Sequence, residues 1–320
     1  ITCRDWSSDV CSSDLVQAFR QVWINLGSQK TDLRIIRLWG GNPNPTIDNP
    51  DKPIVVVASI QTLNSRFGID VLSWLKKSGL VVVDECHHAI TPSYTNLLRF
   101  LDADISKPGT EPKNEPPILG LSATPFRTDD DESRRLANRF DNRWFPSNQE
   151  DLHRRLTQVG VLARASNEAL DSGVGLTSEE IDRLSHLSWE GLEFENILET
   201  INQRLATNEK RNELLVDRIN KSEEKSILLF ANSVLHAEEM ALRLNLQGIS
   251  SAAISGETPS TARRYFLSRF QSGNIRVICN HSVLSTGFDA PETDMILISR
   301  AVFSPVRYMQ MVGRGLRGEK

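Results

Sequence analysis

The sequence predicts an α/β protein built on parallel sheets and divided into two domains, and three observations carry that prediction. Leu80–Val83 is a short apolar run, three of its four members β-branched, of the kind that suits a strand covered on both faces. Asp84 and Glu85 follow at once, and a second apolar run, Ile118–Leu121, opens in the same way into Ser122, Ala123, Thr124 and Pro125. Polar residues directly beyond the carboxyl end of a parallel strand are placed to meet a ligand rather than to pack. The length of 320 residues gives each of two domains enough chain for its own core.

Composition narrows the function classes. With 39% hydrophobic and 24% charged residues the chain reads as soluble and globular. No apolar run approaches the ~20 residues of a membrane span and no signal-peptide core is visible, so a cytoplasmic location without membrane contact is expected. A net charge of −4 excludes a uniformly basic nucleic-acid binder. Any such contact must come from local clusters and backbone amides. Arg300, Arg307, Arg314, Arg317 and Lys320 form one cluster, with Glu319 the only acid after Arg300. The four cysteines show no metal-ligand spacing. Cys86, His87 and His88 are adjacent, so they cannot all converge from a strand end, and no second cluster completes a zinc site.

Taken in order, the chain begins with a stretch that lacks any structural period. Asp5–Leu15 can be written in codons as a common short-read sequencing adapter read in frame, so residues 1–15 are expected to be a library artefact and are set aside from the fold. Val16, Phe19, Val22, Trp23 and Leu26 have helical spacing. Gly27-Ser28-Gln29-Lys30-Thr31 imitates a phosphate-binding loop, but Gln29 stands where a glycine must let the backbone approach phosphate, and Ile24 stands in place of the leading glycine. Arg34–Leu38 and Ile54–Ala58 are strand candidates around a turn-rich segment. The stretch 101–117, rich in proline and without periodicity, reads as a surface insertion. Residues 128–173 are charged and mostly helical, with Phe140, Trp144 and Phe145 expected to anchor into a domain. Thr177–Glu180 has the pattern of a capping box and starts a helical stretch to about Asn220 with a break near Asn208.

The second domain opens on the strand candidate Ile227–Phe230, followed by Asn232, Ser233 and a helix from His236. Arg276–Cys279 and Met295–Ser299 are further strands. Ser304 is an N-cap before Pro305, a suitable first helical residue. If that helix continues, Gln310, Arg314 and Arg317 fall at i, i+4 and i+7 on one face. Its glycines, Gly313 and Gly315, are unfavourable in a helix interior and suggest close approach.

These stretches resemble, in order, motifs of the superfamily 2 helicases, particularly the branch of restriction-enzyme motor subunits and excision-repair helicases. VVASIQTL resembles motif Ic, DECH motif II, LSATPFR motif III, ILLFANSV motif IV, LSTGFDAP motif V and QMVGRGLR motif VI. The resemblance spans nearly all of residues 16–320 and implies two RecA-like domains, 16–127 and 221–320, joined by a helical connection over 128–220. Motif I, with its phosphate-binding loop, is missing from these residues, so the first domain is expected to be incomplete, without a central strand. The resemblance further implies ATP and Mg²⁺ as cofactors, with Asp84 holding the metal, Glu85 activating water, and Gln310, Arg314 and Arg317 completing the catalytic set. Gly287 and Asp289 would approach the nucleotide, and Ser122 and Thr124 would couple hydrolysis to strand movement. Ser59, Gln61, Thr62, Asn232, Ser233 and Thr286 would meet nucleic acid, DNA by analogy with this branch. A restriction-type motor that translocates without unwinding is one alternative. A non-enzymatic DNA-binding scaffold is another, disfavoured because both motif II acids and both motif VI arginines are intact.

Overall fold

The computed structural model describes residues 2–3, 16, 19–22, 33–39, 42–45, 47, 53–66, 70–101, 116–122, 125, 130–145, 149–187, 192–281, 283 and 293–316. The chain divides into two compact units, Ile1–Phe145 and Pro146–Lys320. Each holds a parallel sheet, and no described helix is long and apolar enough to cross a membrane.

In the first unit five strands stand in the order β2-β3-β1-β4-β5, where β1 is Thr2–Cys3, β2 Arg34–Leu38, β3 Ile54–Ser59, β4 Val81–Asp84 and β5 Ile118–Leu121. The central position is therefore filled, by two of the described residues. Thr2 pairs with Ala58 and Val83, and Cys3 with Ser59. Sequence reasoning left this slot empty and set residues 1–15 aside; the structure seats a strand there because β3 and β4 otherwise face each other with open backbone groups. Helix α1 (Ile60–Arg66) follows β3 and α2 (Pro92–Phe100) follows β4. With α3 (Asp130–Arg139) they bury Leu63, Tyr94, Leu97, Leu98 and Leu136 against Val81 and Val83. On the opposite face Val16, Trp39 and Val57 form a smaller cluster. Residues 16 and 19–22 are helical, as their spacing predicts.

Two expectations shift here. Val81 and Val83 are buried while Val82 and Asp84 are half-exposed, so this strand is tightly covered on one face rather than both. Phe140 packs on the core as expected, but Trp144 is 45% and Phe145 100% exposed.

Gly120 is required by close packing. A Cβ there would lie 2.8 Å from Cys86 Sγ and 2.8 Å from the Phe140 ring. Gly120→Ala should destabilise the first unit by about 1–3 kcal/mol through overpacking. Urea unfolding measures this, and adding Cys86→Ala should return part of the loss because it frees one of the two clashes. Unchanged stability in the single variant would contradict the packing.

The second unit begins with α4 (Gln149–Gln158), α5 (Ser178–Ser185), α6 (Leu192–Ala206) and α7 (Glu209–Asn220). The capping box exists as read: Glu180 N donates to Thr177 Oγ1 (3.1 Å) and Thr177 N to Glu180 Oε2 (2.8 Å). Asn208 marks the break by accepting from Arg211 N as the N-cap of α7. The stretch read as one connection over 128–220 thus divides, α3 packing in the first unit and α4–α7 belonging to the second.

The second sheet runs β7-β8-β6-β9, with β6 Ile227–Phe230, β7 Ser251–Ile254, β8 Val277–Asn280 and β9 Met295–Ile298. Alternation along β6 sends Ile227 and Leu229 to one face, where Leu215 and Ile219 of α7 and Met240 and Leu244 of α8 (Val234–Leu246) meet them. Leu228 and Phe230 go to the other, against Leu267 and Phe270 of α9 (Ser260–Gln271) and Met311 of α10 (Pro305–Val312).

Candidate functional site: the acidic edge of the first sheet and the polar edge of the second

β4 and β5 pair in register with Asp84 opposite Leu121, which brings Glu85 and Ser122 side by side just past the sheet. Glu85 turns the chain sharply. It adopts φ 50° and ψ 51°, a left-handed conformation that costs a non-glycine residue roughly 1–2 kcal/mol. Its amide donates to Asp84 Oδ1 (3.0 Å). Cys86–His88 then form one 3₁₀ turn that buries His87.

His87 joins the two strand ends. Its Nδ1 lies 3.1 Å from Ser122 Oγ and 3.3 Å from Glu85 Oε2. With Nδ1 protonated the ring faces two acceptors, and with it bare the ring accepts the Ser122 hydroxyl proton. The Nδ1-protonated tautomer places its hydrogen toward both the acid and the second strand, whereas the other bonds the ring to Ser122 alone. Glu85 Oε2 is shut from solvent and receives no aligned hydrogen bond, its contact with Nδ1 lying off the donor direction. Burial, and then the charge of Glu85, raise the Asp84 pKa above the ordinary carboxylate range. Burial, helped by Glu85, pushes the Cys86 thiol up to about 11, which makes it an inert packing group.

The other first-unit residues separate. Ser59 is buried, and its Oγ accepts from Thr62 N (2.8 Å), so its hydroxyl caps α1 rather than facing a ligand. Thr62 is half-buried; Gln61 is the member of that trio that meets solvent. Thr124 lies outside the described residues, as do Thr286, Gly287 and Asp289 of the LSTGFDAP stretch and Arg317.

In the second unit Asn232 departs from its expected role. It is 3% exposed; its Nδ2 donates to Asn202 Oδ1 (3.0 Å), and its Oδ1 accepts from Ser299 Oγ (2.9 Å) and Arg211 Nη1 (3.2 Å). Its side chain therefore builds the interior instead of meeting nucleic acid. Asn202 Oδ1 also accepts from Ala301 N, and Arg211 Nη2 donates to Ser299 O, so the network grips the chain leaving β9. Ser233, half-buried, caps α8 by accepting from His236 N (3.1 Å). Asn202, Asn212 and His236 carried no motif that could have announced this network, and the motif that holds Asn232 pointed to a ligand instead.

His236 completes it. Nδ1 accepts from Asn232 N (3.2 Å), so the proton sits on Nε2 and is donated to Asn212 Oδ1 (3.0 Å). Burial first, then the charges of Arg211 and Arg243, press its pKa down to about 4. The folded value lies below the unfolded one of ~6.5, so the contribution is fully present above that pH and is lost as pH falls toward 4. The expected loss is about 3 kcal/mol. His236→Gln, which can keep both hydrogen bonds but cannot charge, should flatten this pH dependence. Hydrogen exchange of the Ile227–Phe230 amides at pH 7 and pH 4.5 tests it, and an equal pH slope in the variant would remove the assignment.

Ser304 caps α10 with Pro305 as its first residue, as read. The helix does not continue to Arg314. It ends at Val312, where Gly313 N reaches Met309 O (2.8 Å), Arg314 N Met311 O (3.2 Å) and Gly315 N Val312 O (3.0 Å). Gln310 is thus in the last helical turn and Arg314 in the tighter turn beyond it. Of the two glycines Gly315 packs closely on another element: a Cβ there would sit 3.1 Å from Ile296 Cδ1. The basic cluster also has an acid the sequence could not place beside it, since Arg307 lies 3.6 Å from Glu195 of α6. Arg300 is buried enough, with Arg307 near, for its pKa to be lowered.

Two parallel α/β sheets, one of them ending in paired acids beside a polar strand end, define the RecA-like class of fold. Comparison with known proteins carries this to a family. The model for the type III restriction enzyme res subunit matches residues 11–127, and that for the helicase conserved C-terminal domain matches residues 210–319. Together these cover more than half of the chain, which belongs to the superfamily 2 helicases and is restriction-subunit-like. "Putative ATP-dependent helicase IRC3" of Saccharomyces cerevisiae is 28% identical over 82% of this chain and 35% of its own length. "Putative mitochondrial ATP-dependent helicase irc3" of Schizosaccharomyces pombe is 27% identical over 74% and 36%. The chain spans about a third of the length of each yeast relative. Among solved structures, the fragment of a "putative HsdR subunit of a type I restriction enzyme" from Vibrio vulnificus aligns with a TM-score of 0.55 at 19% identity, covering 91% of this chain and 48% of that one. Saccharomyces cerevisiae Dbp5 bound to RNA and ADP BeF3 aligns at 0.53 and 15% identity, over 99% and 68%. These likenesses establish the fold.

Proposed function

We propose that the protein is an ATP-driven motor that moves along nucleic acid, DNA in preference to RNA, in the cytoplasm. The observation that carries this reading is the linkage of Glu85 to Ser122 through the buried His87 at the carboxyl edge of the sheet. A change of charge at Glu85 is felt by the strand end expected to answer it, which is what coupling hydrolysis to movement needs.

The residues present suit a nucleotide-bound Mg²⁺. Asp84 is partly desolvated and stands beside a second acid, an arrangement a divalent cation relieves, and Mg²⁺ commonly uses one or two carboxylates together with phosphates. Asp84 would hold it, and the ion would screen phosphate charge during transfer. Glu85 orients and deprotonates the attacking water through its other carboxylate oxygen, Oε2 being turned against His87. Gln310, Arg314 and Arg317, with Gly287 and Asp289, belong to the nucleotide-handling set; Ser122 and Thr124 couple the step to movement. Gln61, Thr62, Ser233 and Thr286 contact the nucleic-acid backbone, with Ser59 acting through the helix it caps.

The restriction-subunit match over residues 11–127 favours one specific form of this reading, translocation along duplex DNA without unwinding. A strand-displacement assay run beside a triplex-displacement assay, on a form with a complete phosphate loop, separates the two. Triplex displacement alone supports the translocase, and activity in neither assay removes the motor.

A further inference from the structure

We propose that Trp144 and Phe145, which follow Arg143 and the arginine-bearing helix α3 in the chain, form a stacking platform for the bases of single-stranded nucleic acid. The inference rests on the reading of the chain as a nucleic-acid motor and adds a contact outside every motif that led to it.

The platform stands on a specified turn. At the end of α3, Asp141 and Asn142 both hold left-handed backbones, φ 53° and 54°, where glycine is the ordinary choice. Asn142 N reaches back to Ala137 O (2.9 Å), Arg143 N to Phe140 O (2.9 Å), and Asn142 Nδ2 to Asn138 Oδ1 (3.1 Å). Phe140, packed on the first core, anchors the turn from below. Aspartate and asparagine are the non-glycine residues that tolerate this conformation best, and two in succession reverse the chain sharply after the helix. Beyond the turn the chain presents a tryptophan at 45% exposure and a phenylalanine at 100%.

Charge indicates what covers these rings. Arg135 and Arg139 are one helical turn apart, and Arg143 lies past the left-handed turn, next to Trp144 in the chain; Arg135 and Arg143 are exposed. Arg139 Nη2 meets Thr95 Oγ1 (3.1 Å) on α2, whose next turn carries the exposed Arg99. The acids of α3 lie in its first turn, Asp131 already engaged with Arg134, which leaves Asp141 as the acid at the aromatic end. An apolar peptide has no use for the arginines. Phosphates use them, and flat bases use the rings, provided they are not already stacked in a duplex.

The test uses the 320-residue chain and a fluorescein-labelled oligothymidylate, read by anisotropy across a salt series, with urea unfolding of each variant as the control for folding. Trp144→Ala and Phe145→Ala should each weaken binding about tenfold without changing the salt slope, and Trp144→Phe should restore most of the affinity. Arg143→Gln should lower the salt slope by about one. Wild-type affinity in the double aromatic variant overturns the platform while leaving the motor reading intact. So does lost stability without lost affinity, which would show the rings packing internally. Failure of the unmodified chain to bind any oligonucleotide overturns both.

Discussion

Replacing Glu85 by Gln, in a form of the protein with a complete phosphate loop, should cut ATP turnover about a thousandfold while leaving nucleotide affinity within a fewfold. Glutamine keeps the size and an acceptor oxygen of the original but cannot take a proton from water, and general-base contributions run to ~10²–10⁴. His87 Nδ1 can still meet that oxygen, so the left-handed turn and the link to Ser122 survive and the loss falls on chemistry. Phosphate release measures the first quantity and fluorescent-nucleotide titration the second. Turnover within tenfold of the original would strip Glu85 of its role.

A comparably large effect is expected from the chain as it stands. Residues 1–320 contain no GxGK run followed by Ser or Thr, and hence neither the lysine nor the glycine-framed amides that cradle the outer phosphates. The central strand from which such a loop would spring is, among the described residues, Thr2–Cys3. The purified polypeptide should therefore release phosphate at background rate, with or without oligonucleotide, even where it binds the oligonucleotide. Robust turnover would mean that phosphate is held by residues not identified above.

Much of this architecture was legible because local chemistry settles it. The capping box at Thr177, the break at Asn208 and the Ser304–Pro305 start each need only residues within one turn of one another, and all are present. Strand ends carrying Asp84 and Ser122 could be read from the switch between apolar run and polar residue. What escaped depended on partners distant in sequence. Asn232, expected from its motif to meet nucleic acid, is interior because Asn202, Arg211 and Ser299 close around it. Arg314 looked helical by spacing, but paired glycines and the nearness of Ile296 end the helix two residues earlier. His87 stood out in the sequence only as a possible metal ligand; its position between Glu85 and Ser122 depends on strand register, which composition does not reveal. Trp144 and Phe145 reversed the usual rule that large aromatics are buried.

One small contact binds the second unit's two extremities. Ala163, near its start, donates its amide to the carbonyl of Leu316, two residues past Arg314 (2.8 Å). A tug on that arginine is consequently passed straight to the segment by which the unit enters the chain, with no need to travel through the sheet. The unit is in effect a loop fastened at its own clasp, and unfastening it by a proline at 163 should slacken the arginine turn before any strand melts.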